Sequence, residues 1–373
     1  MLKSPFTKTA LVLQGGGALG AYQAGVYEAL SEAGYEPDWL AGISIGAINA
    51  AIIAGNKPEH RLLRLKEFWQ RITSLMVAQP VPEIGEQGRR IFNRTSALIS
   101  MLFGLPGFFK PKIPPALMQP QGAPGALSFY DTSPLRATLA RLIDFDLINN
   151  GSAPRLSLGA VNIRTANFVY FDSVQRTITL DHVMASAALP PGFPPVEIEG
   201  EQFWDGGLVS NTPLSYVLED GPREDTLVFQ VDLFSALGPM PRDLFEVEER
   251  RKDISYSSRT RLNTDNFRRK HQLRRAIADL YRQLPADIKQ RPDLQALRTL
   301  GEHHAVSIVH LIYRRKNYDI DAKDYEFSRA SMQDHWRTGV QDTHRTLHHQ
   351  SWLRPLADDE GVRVFDLTGA VMD

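Results

Sequence analysis

The sequence predicts an α/β fold in three layers, with a central, mostly parallel sheet and helices on both faces. Three observations lead to this prediction. Residues 1–55 alternate strand, glycine turn, helix, strand, serine turn and helix. The run Thr226–Leu233 is apolar and rich in β-formers, as buried parallel strands are. Strand and helix patterns then alternate again near the end of the chain. Parallel neighbours need a crossover connection, usually a helix, so this order favours a parallel sheet.

The predicted elements divide the chain into two parts. Strands are predicted at Thr9–Gln14, Asp38–Ile43, Arg155–Asn162, Asn167–Phe171, Thr177–Leu180, Thr226–Leu233, Ala305–Tyr313 and Val362–Leu367. Helices are predicted at Gly20–Ala33, directly after Ser44, at 58–75, near 134–143, within 242–300 and at Ser328–His349. Between 78 and 132, frequent proline and glycine break the pattern. We therefore expect one α/β domain at 1–240 and a mainly helical C-terminal extension at 241–373, with one or two added strands.

The composition is that of an ordinary globular protein. Of 373 residues, 43% are hydrophobic and 23% charged, and a net charge of -1 gives no general attraction to nucleic acid or anionic membrane. The absence of cysteine excludes disulfides, thiolate-bound zinc and a cysteine nucleophile. The apolar run at residues 10–13 is interrupted by Gln14, unlike a secretion signal, and no apolar run is long enough to span a bilayer. We expect a cytoplasmic protein, with contact to a membrane at its periphery. We expect no metal and no cofactor, because no histidine and carboxylate grouping has metal-site spacing.

The most informative motif is Gly42-Ile43-Ser44-Ile45-Gly46, at a predicted strand-to-helix junction. A serine on such a tight turn is held in a strained conformation and exposed at the positive end of a helix. The small flanking residues let a substrate carbonyl approach. The motif favours Ser44 as a nucleophile, although G-x-S-x-G also arises by chance in a glycine-rich chain.

A glycine turn, Gly15-Gly16-Gly17-Ala18-Leu19-Gly20, lies between the first strand and the first helix. One interpretation is a dinucleotide fingerprint, Gly15-x-Gly17-x-x-Gly20, with Asp38 as the ribose-binding acid. The other is an oxyanion hole, in which the backbone N–H groups of the glycines stabilise a tetrahedral intermediate beside Ser44. A serine elbow after the second strand favours the second interpretation, because a dinucleotide enzyme does not need one.

A third motif places Asp205 in the sequence Phe203-Trp204-Asp205-Gly206-Gly207. Taken alone, Asp-Gly-Gly is typical of a hairpin turn. Shortly before it comes the run Ala185-Ser186-Ala187-Ala188-Leu189-Pro190.

The ordered series G-G-G-x-x-G, G-x-S-x-G, A-S-x-A-x-P and D-G-G closely resembles the patatin-like phospholipase family, over about residues 8–215. The resemblance implies a Ser44–Asp205 dyad and an oxyanion hole at Gly15, Gly16 and Gly17. It implies a bacterial-type member with a C-terminal extension that hydrolyses carboxylic esters in lipids, as a phospholipase A, lysophospholipase or carboxylesterase. The alternative substrate is another hydrophobic ester, such as an intracellular polyester or an acylglycerol. The glycines that support the motifs are Gly20, Gly42, Gly46, Gly206 and Gly207.

Two points limit the resemblance. Many members carry Arg or Lys where this chain has Leu19, so the case for an anionic headgroup contact there is weaker. A Ser-His-Asp triad is the alternative to the dyad. Several histidines follow Asp205 in the chain, but none lies in a motif resembling a catalytic-histidine turn, and His182 is predicted near the start of a helix.

Two further segments could contact a partner. Residues 98–112 are apolar and aromatic and end with Lys110 and Lys112. This segment could form a lid, a buried insertion, or a contact with a membrane interface in which the lysines face phosphates. Residues 242–275 are basic, but they lack interleaved aromatic residues. We therefore expect a solvated helical face or a subunit contact there, and no nucleic acid partner. The sequence predicts no oligomeric state.

Overall fold

The structure is a computed structural model that describes residues 6–78, 85–219, 224–302, 304–316, 319–320, 322–354, 356 and 360–367. Its strands are β1 (Lys8–Leu13), β2 (Trp39–Gly42), β3 (Lys110–Pro111), β4 (Tyr130–Asp131), β5 (Arg155–Asn162), β6 (Phe168–Asp172), β7 (Val196–Ile198), β8 (Glu201–Asp205), β9 (Thr226–Asp232), β10 (Val306–Ile312) and β11 (Val362–Asp366). Its helices are α1 (Gly20–Glu32), α2 (Ile45–Ala54), α3 (Pro58–Ile72), α4 (Gly85–Phe103), α5 (Ser133–Leu142), α6 (Phe145–Asn149), α7 (Leu180–Ser186), α8 (Leu214–Glu219), α9 (Leu244–Tyr256), α10 (Thr260–Gln283), α11 (Ala286–Lys289), α12 (Pro292–Leu300) and α13 (Arg329–His348).

The central sheet has the strand order β11-β10-β9-β1-β2-β5-β8-β7, with β6 paired to the other edge of β5. The six strands from β11 to β5 are parallel, and β6, β7 and β8 are antiparallel to their neighbours. β2 pairs with β5 at 155–158, and β8 pairs with β5 at 160–162. Both lie on the same edge of β5, since Ser157, Leu158 and Ala160 all pair with β6 on the opposite edge. β8 therefore occupies the position along β5 just beyond the end of β2.

Helices cover both faces of this sheet. The larger core lies on the face of α1, α2, α3, α7 and α13, and a smaller one lies beneath α8, where Phe267 of α10 also packs. α1 and α13 approach each other closely, because each carries a glycine at the crossing. A Cβ on Gly25 would lie 2.0 Å from the carbonyl oxygen of Trp336, and one on Gly339 would lie 2.2 Å from that of Tyr22. Helix α13 therefore packs directly against the first helix of the fold.

The predicted fold class is confirmed, and most elements agree with the prediction to within a few residues. Two expectations are wrong. Residues 78–132 contain the helix α4, whose apolar residues recur at helical spacing despite the prolines and glycines that follow it. Thr177–Leu180 forms no strand. Instead, Thr179 caps α7 through a capping box with His182, which agrees with the predicted helical position of His182.

The C-terminal extension contributes both helices and strands. Its strands β10 and β11 continue the central sheet beyond β9. The division into domains at residue 240 remains a prediction, and the hydrogen-bonded sheet crosses it. Within the described ranges, no helix combines the length and the apolar character needed to cross a bilayer.

Candidate active site

Ser44 lies on a tight turn between β2 and α2, as predicted. Its backbone has φ 57° and ψ −125°, a region that residues other than glycine rarely occupy. The turn is compact because glycines flank it: a Cβ on Gly42 would lie 2.4 Å from the Gly46 carbonyl oxygen, and one on Gly46 would lie 2.3 Å from that of Leu13. The Ser44 hydroxyl does not cap α2 and faces a cavity. Its backbone N–H donates to the carbonyl oxygen of Ser186 at 3.1 Å.

Asp205 ends β8 and reaches Ser44 because β8 lies just beyond the end of β2 along β5. The carboxylate is 1% exposed. One oxygen, Oδ1, accepts a hydrogen bond from the Gly207 N–H at 2.7 Å. Oδ2 is buried and has no hydrogen bond of ordinary geometry within the described structure. Burial raises the pKa of Asp205 to about 7, although the nearby Ser44 hydroxyl and the Gly207 N–H both lower it. A carboxylate with such a pKa is a competent base near neutral pH.

The glycine turn lies against Ser44, with a Cβ on Gly15 only 3.0 Å from the Ser44 Cβ. The Gly15 N–H donates to the carbonyl oxygen of Asn211 at 3.1 Å, so it is not available to an oxyanion. The N–H groups of Gly16 and Gly17 donate to no acceptor among the described residues. The turn also requires glycine at position 17, where φ is 54°. Of the three predicted donors, Gly15 has an N–H that is already engaged, and the roles of Gly16 and Gly17 stay predictions.

The other glycines of the motifs have packing roles. A Cβ on Gly20 would lie 2.5 Å from Cγ1 of Ile45, and one on Gly206 would lie 2.7 Å from the carbonyl oxygen of Gly159. A Cβ on Gly207 would lie 3.1 Å from Oδ1 of Asp205. These positions allow α1 to approach α2 and the Asp205 turn to approach β5.

The sequence reasoning missed two buried amides that tie the site together. Asn211 donates through Nδ2 to the carbonyl oxygens of Gly15, at 3.0 Å, and Tyr256, at 3.1 Å. Gln14 donates through Nε2 to the Tyr256 carbonyl oxygen at 2.9 Å, and its Oε1 accepts from the N–H groups of Leu233 and Phe234. The available signal for Gln14 was its position directly after a buried strand, where an unpartnered amide would be unfavourable. Asn211 lies between β8 and α8 and carried no such signal.

The dinucleotide interpretation does not fit this geometry. The glycine turn follows the carboxyl end of β1, whereas Asp38 precedes β2 and lies at the amino ends of the parallel strands. There its carboxylate accepts from the Thr9 N–H at 2.8 Å. A ribose-binding acid must lie at the same end of the strands as the phosphate-binding turn. Asp38 therefore does not fit the role that the dinucleotide interpretation would give it.

No histidine of the described chain lines the cavity beside Ser44. His310, which follows Asp205 in the chain, is buried elsewhere, with its Nε2 2.6 Å from Oδ2 of Asp232. Asp205 is the carboxylate that faces the Ser44 hydroxyl.

The cavity beside Ser44 has a volume of about 360 Å³ and is mainly apolar. Aromatic rings form much of its wall: the ring of Phe109 lies 4.6 Å from that of Tyr130 and 5.4 Å from that of Phe193. A second part of the wall comes from the C-terminal region, through Tyr256, Asp324, Tyr325 and Phe327. The cavity can hold an apolar chain while the Ser44 hydroxyl meets a polar group at one end.

The segment 98–112 is divided between the surface and the cavity. Leu102 and Phe103 are 59% and 69% exposed, whereas Phe108 and Phe109 are buried and line the cavity. Both lysines of the segment have partners within the protein, and contact between them and lipid phosphates stays a prediction. Lys110 pairs with Asp131 at 3.2 Å, and Lys112 donates to two carbonyl oxygens of the following loop.

Comparison with known proteins gives a consistent family assignment. Residues 11–218, more than half of the chain, match a family model described as patatin-like phospholipase, and residues 254–359 match a second model described as patatin phospholipase. Patatin-like phospholipase domain-containing protein 7 of Mus musculus is 41% identical over 68 residues, which are 18% of this chain and 5% of that protein. The protein of the same name from Rattus norvegicus is 40% identical over 68 residues, which again are 18% of this chain and 5% of that protein. The chain thus matches only a small part of these curated relatives.

Solved structures give weaker similarities. A crystal structure of VipD from Legionella pneumophila aligns with a TM-score of 0.40 at 15% identity, covering 92% of this chain and 67% of that one. The structure of SpcU in complex with ExoU from Pseudomonas aeruginosa aligns with a TM-score of 0.25 at 19% identity, covering 70% of this chain and 52% of that one.

Proposed function

The chain belongs to the patatin-like phospholipase family, and from that premise we propose that it is a serine-dependent lipid acyl hydrolase. Ser44 Oγ attacks the acyl carbonyl carbon while Asp205 takes the hydroxyl proton. The N–H groups of Gly16 and Gly17 stabilise the oxyanion of the tetrahedral intermediate. Asp205 then returns the proton to the leaving alkoxide as the carbon–oxygen bond breaks, which leaves an acyl-enzyme. Water, deprotonated by Asp205, attacks this ester, and Asp205 gives the proton to Ser44 Oγ as the acyl carbon–oxygen bond breaks, which releases the carboxylic acid and restores both residues.

One observation carries this proposal: a strained serine faces a fully buried carboxylate whose pKa is raised to about 7. An ordinary aspartate is ionised but a weak base, with a reference pKa near 4. Burial increases its affinity for a proton, so Asp205 can accept the serine proton during attack. Strain at Ser44 is maintained by the glycines around it and is typical of a functional position.

The cavity supports a lipid-like substrate. Its aromatic wall matches an acyl chain, and the ester carbonyl would lie where Ser44 and the glycine turn meet. A phospholipid, a lysophospholipid and a simple carboxylic ester all fit this description. So does the alternative of an intracellular polyester or an acylglycerol.

Reaction with a fluorophosphonate, followed by intact mass, tests the proposed dyad. We expect one adduct on the wild type, none on Ser44→Ala, and much slower labelling of Asp205→Asn. Ser152→Ala, a change at an exposed loop serine, should label like the wild type. An adduct that persists in Ser44→Ala, or a wild type that stays unlabelled in the presence of detergent micelles, would contradict the proposal. A panel of phospholipid, acylglycerol, polyester and short-chain ester substrates then separates the substrate classes.

We also propose that the protein contacts a lipid surface around the cavity mouth. Met101 and Phe129 line the cavity and are 41% and 48% exposed, so its mouth lies within an apolar surface. That surface continues along α4 through Leu98 and Leu102, which share one face of the helix. Ile113, which is 94% exposed, lies in the loop that follows β3. A lipid surface can cover these side chains and deliver an acyl chain into the cavity at the same time.

Flotation with phosphatidylcholine vesicles tests this contact. Leu102→Ser combined with Ile113→Ser should reduce co-flotation, whereas Leu273→Ser on α10, an equally exposed leucine at 63%, should not. Added salt should have little effect, because the proposed contact is apolar and salt screens only interactions between charges. Equal binding of the double variant, or release by salt, would contradict an apolar contact at this surface.

A further inference from the structure

Residues 322–327, far from the glycine turn in sequence, contact it directly. The carbonyl oxygen of Asp324 accepts the Ala18 N–H at 2.9 Å. A Cβ on Gly17 would lie only 2.2 Å from that same oxygen. The backbone of Asp324 is thus packed against the part of the turn that carries the two available N–H groups.

Ion pairs with α9 hold these residues in place. Oδ1 of Asp324 accepts from Nζ of Lys252 at 2.8 Å, and this ammonium lies 5.0 Å from the ring centroid of Tyr325. The neighbouring Lys323 is buried and pairs with Asp253 at 2.8 Å and with Glu249 at 3.3 Å. Burial opposes the charge on Lys323, but the two carboxylates outweigh it and raise its pKa.

Helix α9 is itself joined to the site. Its last residue, Tyr256, uses its carbonyl oxygen to accept from Gln14 and Asn211, the two amides next to the glycine turn. Two routes therefore connect the glycine turn to α9. One runs through Asp324 and Lys252, and the other runs through the amides of Gln14 and Asn211 to the carbonyl oxygen of Tyr256. A second support comes from α13, where the buried side chain of His335 lies close to the backbone of Ala18.

We propose that residues 322–327 form a clamp that positions the Gly16 and Gly17 N–H groups, with Asp324 as a positioning residue fastened by Lys252. This inference rests on the proposed function, and it assigns a role to the C-terminal region in the reaction. Oxyanion donors act only when they lie about 3 Å from the position that the oxyanion occupies. A displacement of about 1 Å in such a group can reduce the rate by as much as about 100-fold. Loss of the Lys252 pair should affect the transition state more than substrate binding, because much of the aromatic wall, formed by Phe109, Tyr130 and Phe193, lies outside residues 322–327.

The test compares two adjacent basic positions on α9. Lys252→Met removes the pair to Asp324, and Lys252→Arg retains it. Arg251→Met removes a pair to Glu248 that lies on the exposed face of the same helix. Each variant is assayed with a soluble ester for kcat and KM, labelled with a fluorophosphonate, and heated to obtain its unfolding midpoint.

We expect Lys252→Met to lower kcat by about 10-fold or more and to leave KM within about twofold. Lys252→Arg should restore most of kcat, and Arg251→Met should match the wild type. Asp324→Asn, which retains the backbone carbonyl but loses the charge, should behave like Lys252→Met and covers the case in which one variant does not fold. An unchanged kcat in both variants, or a loss shared equally by Arg251→Met, would overturn the clamp. A wild type that is not labelled at Ser44 would instead overturn the proposed function.

Discussion

On one side of the cavity, Ser44 and the glycine turn are placed by backbone conformation. On the other side, Asp324 and Tyr256 are placed by ion pairs and hydrogen bonds between distant segments. The first side is encoded in short motifs, within which a positive φ or a missing Cβ determines the geometry. The second depends on contacts between residues that are separated by many positions. In our proposal, the motifs supply the reacting groups, and the C-terminal region holds the glycine turn in position.

Gly17→Ala should have the largest effect, because it acts where the two sides meet. An alanine there takes on a positive φ, and its Cβ collides with the Asp324 carbonyl oxygen 2.2 Å away. We expect the rate of ester hydrolysis to fall by about 100- to 1,000-fold, the range for loss of an oxyanion donor. The measurement is kcat/KM with a soluble ester.

Gly34→Ala is the matched control for that change. Gly34 also has a positive φ, 79°, but a Cβ there meets nothing within 4 Å. It should reduce the free energy of unfolding by about 1 kcal/mol and leave kcat/KM unchanged. If Gly17→Ala behaved in the same way, the contact between the turn and Asp324 would have no role in catalysis.

Lys323→Met should have the next largest effect, and it acts on the C-terminal side alone. The Lys323 side chain is 5% exposed, and its removal leaves the carboxylate of Asp253 buried without this partner. Removal of one member of a buried pair reduces the free energy of unfolding by about 3–5 kcal/mol. Urea unfolding measures this loss.

The control is Arg268→Met, which removes an exposed pair with Asp265 on α10. Exposed pairs contribute at most about 1 kcal/mol, so this variant should unfold close to the wild type. If Lys323→Met were equally stable, the ion pairs between α9 and 322–327 would not hold the clamp, and the contrast between the two sides would weaken.

The sequence predicted the first side of the cavity far better than the second. The structure brings Ser44, Asp205 and the glycine turn together at one cavity, and each was singled out because it lies in a short motif at a strand end. β10 and α13 were also predicted, from their apolar patterns, but nothing in those patterns indicated that Asp324 would reach the glycine turn. That contact depends on how α13 and β10 pack, which is a property of the whole fold.

The errors have physical causes of the same kind. Helix α4 was missed because the prolines and glycines after it obscured the helical spacing of Ile91, Leu98 and Leu102. The ion pair of Lys110 was not predicted because its partner, Asp131, lies outside the segment 98–112. The Gly15 N–H was counted as an oxyanion donor because its acceptor, Asn211, is distant in sequence.

The dependence on pH gives the smallest expected change in rate, and it concerns Asp205 on the first side. Since its pKa is about 7 in the folded protein, kcat/KM should fall about tenfold per pH unit below that value, as the base becomes protonated.

The same raised pKa affects stability. The unfolded chain has an ordinary aspartate pKa near 4, so between about pH 4 and 7 only the folded protein binds this proton. The free energy of unfolding should therefore decrease as pH rises through this window, by up to about 4 kcal/mol. Asp205→Asn should lack this decrease and be more stable than the wild type at pH 8, measured by urea unfolding. If its stability followed the same pH dependence as the wild type, the raised pKa would belong to another group, and Asp205 would lose its support as the proposed base.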